Sequence, residues 1–287
     1  MRRLRRAGLA AGALVLASAC RADTLAFEWA IGSFAGAEGQ PVAILLNARI
    51  GTRTCALQLD TGLAAAVAWH AGADAADTEQ APLRIQLGRI TRSVAASPAV
   101  HALIAACEPG RPVGSLGNAF FDHGTLTLDL RHGRLRHEAG SHLQAGAGGT
   151  PFRYAATGGE GGHVPVELAL PDGPATALLD TGSAALDLGA FSPDAWTRLT
   201  GLSPQRTPAA ARAFSVHAWG RMHPCHIAAA SVPVRVGGQA LAAPTVTHCP
   251  GIGPGWSGVI GVVGMKPFKD QRLVIDYPAR LWRVEQP

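Results

Sequence analysis

The sequence has little charge and almost no helical periodicity. Charged residues make up 16% of its 287 residues and apolar residues 47%, which excludes an intrinsically disordered chain. Apolar residues rarely recur at the spacing of an amphipathic helix, and only the alanine runs at 64–66 and 208–211 would allow a short one. The 35 glycines and 20 prolines instead indicate many turns between short strands. An all-β fold is therefore expected.

The sequence also lacks a long apolar run outside its N-terminus. There, basic MRRLRR is followed by apolar AGLAAGALVLA and small-residue ASAC, and this run is too short for a permanent membrane span. Residues 1–19 are therefore interpreted as a signal peptide. Two processing routes remain open, namely cleavage after Ala19 and lipidation of Cys20 within the imperfect lipobox LASAC. We expect an exported protein of the periplasm or cell envelope, lipid-anchored if the second route is used.

The net charge gives no reason to expect a nucleic-acid partner. The formal charge is +5, but four of the arginines lie within residues 1–19, and their removal leaves +1. A basic surface that would follow a phosphate backbone is therefore not predicted for the mature chain.

The two halves of the sequence repeat one plan. An apolar strand leads into Asp60-Thr61-Gly62 and, 120 residues later, into Asp180-Thr181-Gly182. The later blocks SLGNAFFDHGTLTLDL and VVGMKPFKDQRLVIDY align without a gap at an offset of 147, and Ser115-Leu116-Gly117 in the first matches Val262-Val263-Gly264 in the second. Each block leads into a hairpin whose alternating apolar residues predict half-buried strands. We expect a duplicated β-rich unit, with lobe 1 at 25–137, a Gly/Ala-rich linker at 138–150 and lobe 2 at 151–287.

The cysteines fit this division. Cys20 stands alone at the signal junction, while Cys55 and Cys107 lie in the first half and Cys225 and Cys249 in the second. Four cysteines allow three connectivities, and an exported chain favours disulfides. The expected pairs are Cys55–Cys107 and Cys225–Cys249, because each stays within its own half.

The two aspartates pose a physical problem, because each directly follows an apolar strand. A buried carboxylate is costly unless it is paired or hydrogen-bonded. A pseudo-twofold relation between the lobes would bring Asp60 and Asp180 face to face, where two carboxyls share one proton. One member is then a base and the other an acid at the same pH. Such a pair can activate a water molecule for attack on a carbonyl carbon.

The neighbouring residues suit such a pair. Gly62 and Gly182 allow tight turns and offer N–H donors. Thr61 and Thr181 are expected to reach across the lobe junction and to fix the two loops relative to each other. Ser183 is expected to donate a hydrogen bond to Asp180.

These motifs resemble aspartic proteases, in particular the retropepsin-like and pepsin-like group, and a bacterial member with two DTG-containing lobes in one chain is expected. The resemblance covers residues from about 40 to 283 and also includes the apolar-apolar-Gly elements ending at Gly117 and Gly264. It implies a bilobal all-β fold in which these elements cross behind the catalytic loops. It also implies endopeptidase activity on polypeptides, no metal or cofactor, and a flap hairpin over the substrate. Because one chain contains both half-sites, we expect a monomer.

Two departures from the family pattern stand out. Leu63 replaces the usual Ser or Thr after the first motif, so one hydrogen bond to Asp60 is missing. The second half is also longer between its motif and its glycine element, whereas the first half is too short there to supply a full flap. FSVHAWGRMHPCHI is therefore a candidate flap, with Trp219 and Gly220 near its tip. The alternative is a surface hairpin held by Cys225.

Two other functions remain open. Leu63 is compatible with a degenerate site, which would make the chain a non-catalytic peptide-binding envelope protein on the same scaffold. A histidine and cysteine cluster suggests a metal-binding envelope lipoprotein, since these side chains bind zinc or copper; its members are His223, Cys225, His226, His248 and Cys249. The alternative for this cluster is a Cys225–Cys249 disulfide flanked by solvated histidines.

Overall fold

The structure is a computed structural model and describes residues 24–70, 82–144, 148–156, 161–203, 211–218, 221–253 and 257–286. The first half of the chain forms strands joined by turns and short helices, in the order β1 (Thr24–Ala26), β2 (Glu28–Phe34), β3 (Ala37–Ile50), β4 (Arg53–Leu59), β5 (Val67–Trp69), β6 (Leu83–Leu87), β7 (Ile90–Val94), α1 (Pro98–Ala105), β8 (Pro112–Leu116), α2 (Asn118–Phe121), β9 (Gly124–Asp129) and β10 (Arg134–Ala139).

The second half continues in the same style. Its elements are β11 (Thr150–Pro151), β12 (Ala155–Ala156), β13 (Gly162–His163), β14 (Pro165–Ala169), β15 (Ala175–Leu179), β16 (Leu188–Ala190), α3 (Pro193–Thr200), β17 (Arg212–Ala218), β18 (Arg221–Ala229), β19 (Arg235–Val236), β20 (Gln239–Ala240), β21 (Thr245–His248), β22 (Val259–Val263), a 3-10 turn (Lys266–Phe268), β23 (Arg272–Asp276) and β24 (Leu281–Glu285).

Each half folds around the same central arrangement. In the first half β4 is parallel to β8, with β5 antiparallel to β8 and β3 antiparallel to β4. In the second half β15 is parallel to β22, with β16 and β14 in the equivalent places. The full strand orders are β5-β8-β4-β3-β6-β7, with β2 on β3, and β17-β18-β21-β16-β22-β15-β14-β19-β20. The strand that precedes each aspartate is therefore an interior strand, with a parallel partner on one side.

A shared sheet joins the two halves, with the order β1-β10-β9-β23-β24-β11. Strands β9 and β23 run antiparallel, and Thr127 lies opposite Val274, which is its own equivalent at the offset of 147. A residue pairs with its own equivalent only on a twofold axis, so the pseudo-twofold axis passes through this pair. The prediction of an all-β, two-lobed fold with pseudo-twofold symmetry is confirmed.

One hydrophobic core runs through both halves. Leu57 and Leu59 of β4 and Leu179 of β15 are fully buried in it. Burial of a leucine side chain contributes about 1.5–3 kcal/mol. These residues therefore anchor the ends of the two strands that carry the aspartates.

The helices are not where the alanine runs predicted them. Residues 64–66 are irregular, 208–210 lie outside the described residues, and the longer helices begin instead at Pro98 and Pro193. In both, the hydroxyl of the preceding serine accepts a backbone N–H of the first turn. Proline follows at the first helical position, where its missing N–H costs nothing. Two of the three Ser-Pro pairs, at 97–98 and 192–193, thus mark a helix start.

Part of the predicted linker is held against the shared sheet. The Ser141 hydroxyl and the backbone N–H groups of His142 and Leu143 donate to one oxygen of the Asp276 carboxylate, at 2.9, 2.7 and 2.7 Å. The Gly/Ala-rich composition did not predict this attachment, because its acceptor lies on β23, far away in sequence.

The described cysteines form disulfides within each half, Cys55–Cys107 and Cys225–Cys249. Disulfides are typical of proteins that fold in an oxidising compartment. Cys20 lies outside the described residues. Among the described helices, none is long and apolar enough to cross a membrane.

Candidate active site

The two Asp-Thr-Gly loops are held by the same backbone hydrogen bonds. The N–H of Asp60 donates to the Leu116 carbonyl and that of Asp180 to the Val263 carbonyl, both at 2.9 Å. Each bond continues the parallel pairing of the preceding strand, β4 on β8 or β15 on β22. We name residues 60–63 the first loop and residues 180–183 the second loop. Their backbones are fixed by equivalent sheet contacts.

Each carboxyl group lies against the glycine of the opposite loop. A Cβ atom added at Gly62 would lie 2.7 Å from Oδ1 of Asp180, and one added at Gly182 would lie 2.7 Å from Oδ1 of Asp60. Real Cβ atoms essentially never lie within 3.0 Å of such an atom, because non-bonded atoms repel each other at that distance. Both positions therefore require glycine, and the two carboxyls face each other across the lobe junction.

The environment of Asp60 favours its protonated form. Burial, the negative charge of Asp180 and a hydrogen bond with Asp180 together raise the pKa of its carboxyl from 3.8 to about 8, with burial the largest cause. Backbone N–H groups of Gly62 and Leu63 lower the pKa but are outweighed. Leu63 brings no hydroxyl that would stabilise the ionised form.

The second carboxyl is better placed to carry the negative charge. The N–H of Gly182 donates to Oδ1 of Asp180 at 2.9 Å, and the hydroxyl of Ser183 donates to Oδ2 at 2.6 Å. Hydrogen bonds to an ionised carboxylate stabilise it. The two environments therefore favour the shared proton on Asp60, and the hydrogen bonds to Asp180 suit a carboxylate.

Two threonines lock the loops together reciprocally. The hydroxyl of Thr61 accepts the N–H of Thr181 at 3.0 Å and donates to the Leu179 carbonyl at 2.8 Å. The hydroxyl of Thr181 accepts the N–H of Thr61 at 2.9 Å and donates to the Leu59 carbonyl at 3.1 Å. Both side chains are fully buried. The carboxyls are thus held at a fixed separation by symmetric bonds.

The glycine elements cross directly behind the loops. The N–H of Gly117 donates to the Ala66 carbonyl at 3.0 Å, and that of Gly264 donates to the Asp187 carbonyl at 3.1 Å. A Cβ atom added at either glycine would lie within 2.5 Å of backbone oxygens of the adjacent loop segment. Both crossings therefore depend on the absence of a side chain.

Sequence reasoning missed Asn118 and Asp187, which are both buried near the loops. Asn118 donates to carbonyl oxygens of the first loop, and Asp187 accepts hydrogen bonds from Thr245 and Lys266. A signal for Asn118 was present, since the offset of 147 aligns it with the apolar Met265. Asp187 was visible as a lone acidic residue in the apolar run after the second motif.

The candidate flap corresponds to the β17–β18 hairpin. Its predicted tip, Trp219 and Gly220, lies outside the described residues. One face of the hairpin is buried at His223 and Cys225, and the opposite face exposes Met222 at 61%. The Cys225–Cys249 disulfide attaches β18 to the residue that follows β21, as expected for the tethered surface hairpin.

The first half also supplies a long hairpin, and it comes from before Asp60. Strand β3 pairs with β4 only from Leu45 onward, so its residues 37–44 project with β2 beyond the end of β4 that carries Asp60. At the tip of this hairpin, Phe34 meets Phe214 of β17 edge-on at 5.1 Å. The expectation that the first half is too short for such a hairpin overlooked this upstream segment.

The histidine and cysteine cluster does not form a metal site in the described part of the chain, where no group of three such ligands converges. Cys225 and Cys249 are consumed by their disulfide. The alternative with solvated histidines is wrong for His223 and His248, which are each only 4% exposed. The Nδ1 of His248 instead lies 2.9 Å from the Ala190 carbonyl, so this histidine packs as a core residue.

The chain was compared with protein-family models, curated proteins and solved structures. No protein-family model matches the chain, and no curated protein matches it. Among solved structures, the chain is similar to the crystal structure of an aspartic proteinase from Irpex lacteus, with 13% identity and a TM-score of 0.46, over 93% of this chain and 97% of that chain. A likeness at this level carries no argument about activity. The chemistry of this chain is therefore inferred from its own paired carboxyls.

Proposed function

We propose that the protein is an aspartic endopeptidase that hydrolyses peptide bonds of polypeptide substrates without a cofactor. The observation that carries the proposal is the pair Asp60 and Asp180, each packed on the glycine of the opposite loop and each in a different electrostatic environment. Such an asymmetric pair supplies an acid and a base at the same pH.

In the proposed mechanism, a water molecule lies between the two carboxyls. The oxygen of the water attacks the carbonyl carbon of the peptide bond as Asp180 takes a proton from the water. At the same time Asp60 gives its proton to the carbonyl oxygen. The tetrahedral intermediate then breaks its C–N bond as the amine nitrogen takes the proton held by Asp180. The product hydroxyl returns a proton to Asp60, which restores the starting state.

The raised pKa of Asp60, about 8, bears on the working pH. The acid stays protonated up to that region, so the proposal includes activity at neutral pH. Above pH 8 the acid loses its proton and the rate falls.

A second candidate function is supported by Leu63, which leaves Asp60 without a side-chain donor. In this alternative the chain is a peptide-binding envelope protein that uses the same cleft without catalysis. Both candidate functions involve the binding of a polypeptide.

Location and assembly are also proposals. The two disulfides and the N-terminal signal features support an exported protein of the periplasm or envelope. The mass of the mature N-terminus distinguishes simple cleavage after Ala19 from lipidation at Cys20. Because one chain carries both loops, we propose that a monomer is the active species and that it has no nucleic-acid partner.

The test is cleavage of an unfolded protein substrate by the purified, disulfide-bonded protein between pH 3 and pH 9. Asp60→Asn and Asp180→Asn are each expected to lower kcat by about 10²–10⁴-fold, because each removes one partner of the proton transfer. The matched control is Asp172→Asn, since Asp172 is an exposed carboxylate that pairs with Arg198, and it is expected to cleave at the wild-type rate.

Activity that survives in both Asp60→Asn and Asp180→Asn contradicts the proposal. If the wild type does not cleave the substrate but binds it, as measured by calorimetry, the peptide-binding alternative is favoured.

A further inference from the structure

Asn118 lies directly behind the first loop and bonds it twice through its side chain. Its Nδ2 donates to the Thr61 carbonyl at 2.7 Å and to the Leu63 carbonyl at 3.1 Å. Its backbone N–H also donates to the Leu63 carbonyl, at 2.9 Å. The side chain is fully buried, so no water competes for these carbonyls.

Tyr277, from the second half of the chain, completes the arrangement. Its hydroxyl donates to Oδ1 of Asn118 at 2.7 Å, and the ring is only 1% exposed. The two loop carbonyls can only accept hydrogen bonds, so Nδ2 must face them and Oδ1 must face the tyrosine. The orientation of the amide is therefore fixed by its partners. We call this arrangement the Asn118–Tyr277 link.

The link acts on the peptide group that serves Asp60. The Thr61 carbonyl and the Gly62 N–H belong to one planar trans peptide, so they point in opposite directions. Holding the carbonyl toward Asn118 aims the N–H away from it, and this N–H lowers the pKa of the Asp60 carboxyl. A loose carbonyl would allow the plane to rotate and the N–H to leave the carboxyl.

Among the described residues, the second loop has no asparagine–tyrosine link of this kind. The equivalent of Asn118 at the offset of 147 is Met265, which is buried and has no N–H or O–H in its side chain. The second loop instead has the Ser183 hydroxyl on its aspartate. The Gly182 carbonyl also accepts a hydrogen bond from Nε2 of Gln58 at 3.3 Å, so both loops have side-chain support, but at different places.

We infer that Asn118 and Tyr277 are positioning residues for Asp60, and that the Asn118–Tyr277 link replaces the hydroxyl that Leu63 cannot provide. This inference rests on the proposed function. The link carries the support across the lobes, since the tyrosine follows β23 of the shared sheet and the asparagine begins α2 of the first half. The arrangement of the first loop thus depends on the second half of the chain.

The test is Tyr277→Phe, which removes only the hydroxyl. We expect kcat to fall about 10-fold with KM unchanged. The Gly62 N–H then donates less well to ionised Asp60, so the pKa of Asp60 rises and the alkaline limb of the pH profile moves to higher pH. A merely structural role would lower the melting temperature without moving this limb.

Tyr154→Phe is the matched control. Tyr154 packs edge-on against Tyr277 with ring centroids 5.7 Å apart, but its hydroxyl donates to Asp122 at 3.4 Å. It is expected to keep the wild-type kcat and pH profile. A Tyr277→Phe variant with wild-type kcat and an unmoved alkaline limb overturns the inference, as does an equal shift in Tyr154→Phe.

A readout without catalysis separates this inference from the proposed function. The Asp60 carboxyl is titrated by carbon NMR in the wild type and in Tyr277→Phe. If the wild type proves inactive, the proposed function fails, while an upward shift of this titration in Tyr277→Phe still supports the link. An unchanged titration overturns the link, whether or not the wild type cleaves protein.

Discussion

The first and second loops have the same backbone but different side-chain support. Their aspartates make the same sheet bond at 2.9 Å, and their threonines exchange equivalent hydrogen bonds. At the position after the glycine, however, the first loop has Leu63 and the second has Ser183. Symmetric contacts thus set the geometry of the two carboxyls, while asymmetric contacts determine which carboxyl holds the proton.

This division explains how a duplicated unit can produce two different chemical roles. A strictly symmetric pair would leave the proton equally on either carboxyl. Here the hydroxyl of Ser183 stabilises negative charge on Asp180, while burial favours the neutral form of Asp60. A substitution at a symmetric contact should therefore disturb both loops alike, and one at an asymmetric contact should alter the pH profile.

The largest effect is expected where the glycine elements cross behind the loops. In Gly117→Ala the new Cβ atom would lie 2.2 Å from the Ala65 carbonyl oxygen, and in Gly264→Ala 2.4 Å from the Leu186 carbonyl oxygen. Because backbone must move in both, we expect each to cost more than about 4 kcal/mol in free energy of unfolding or to prevent folding. Soluble yield and urea denaturation measure this.

Gly51→Ala is the comparison for that experiment. Gly51 has a positive φ of 58° in a surface turn with open space around it. Gly51→Ala is expected to lower the free energy of unfolding by only about 1–2 kcal/mol, the cost of placing alanine in a left-handed backbone conformation. A mild effect at Gly264 together with a severe one at Gly117 would break the symmetry of the two crossings.

The next largest effect is expected at the reciprocal threonines. Thr61→Val and Thr181→Val each keep the shape but leave one N–H and one carbonyl unpaired in a buried place. We expect each to cost about 2–4 kcal/mol in free energy of unfolding, with equal costs in the two loops. Denaturant unfolding measures both.

Thr197→Val provides the control, because the exposed hydroxyl of Thr197 donates to the carbonyls of Pro193 in α3 and of Leu202 just after it. Its cost is expected to stay below about 1 kcal/mol. If Thr61→Val costs twice as much free energy of unfolding as Thr181→Val, the two threonines do not support the loops equally.

The repeated pattern of the sequence carries the symmetric part of this design. The matching blocks at a fixed offset predict two related lobes, and short-range rules about apolar strands and glycine predict where each aspartate lies. Disulfide pairing also follows from the division into halves. These features could be predicted because each is specified by neighbouring residues in both copies.

The asymmetric part could not be predicted, because it depends on contacts between distant residues. Tyr277 and Asn118 are 159 positions apart, and one sequence gives no sign that they meet. The burial of His223 and His248 likewise depends on how β18 and β21 pack. Local signals were overlooked where Ser-Pro marks the start of the longer helices, and at Asn118 and Asp187, which are polar residues in apolar surroundings.

The smallest effect is expected from exchanging the residue after each glycine, and it tests the difference between the two loops directly. Leu63→Ser offers Asp60 a hydroxyl donor, which stabilises its ionised form and lowers its pKa from about 8. The alkaline limb of kcat/KM then moves to lower pH, so activity falls at pH 8 and is unchanged at pH 6. A pH profile of both proteins measures this.

The opposite substitution, Ser183→Ala, removes the 2.6 Å hydrogen bond to Asp180. The acid limb of its pH profile is therefore expected to move to higher pH. Stability provides a readout without substrate. The raised pKa of Asp60 means that the native state holds a proton that the unfolded state has lost above about pH 4. Wild-type unfolding free energy therefore declines as pH rises toward 8, and Leu63→Ser should reduce this decline. An unchanged decline would mean that position 63 does not control Asp60 and that burial alone makes it the acid.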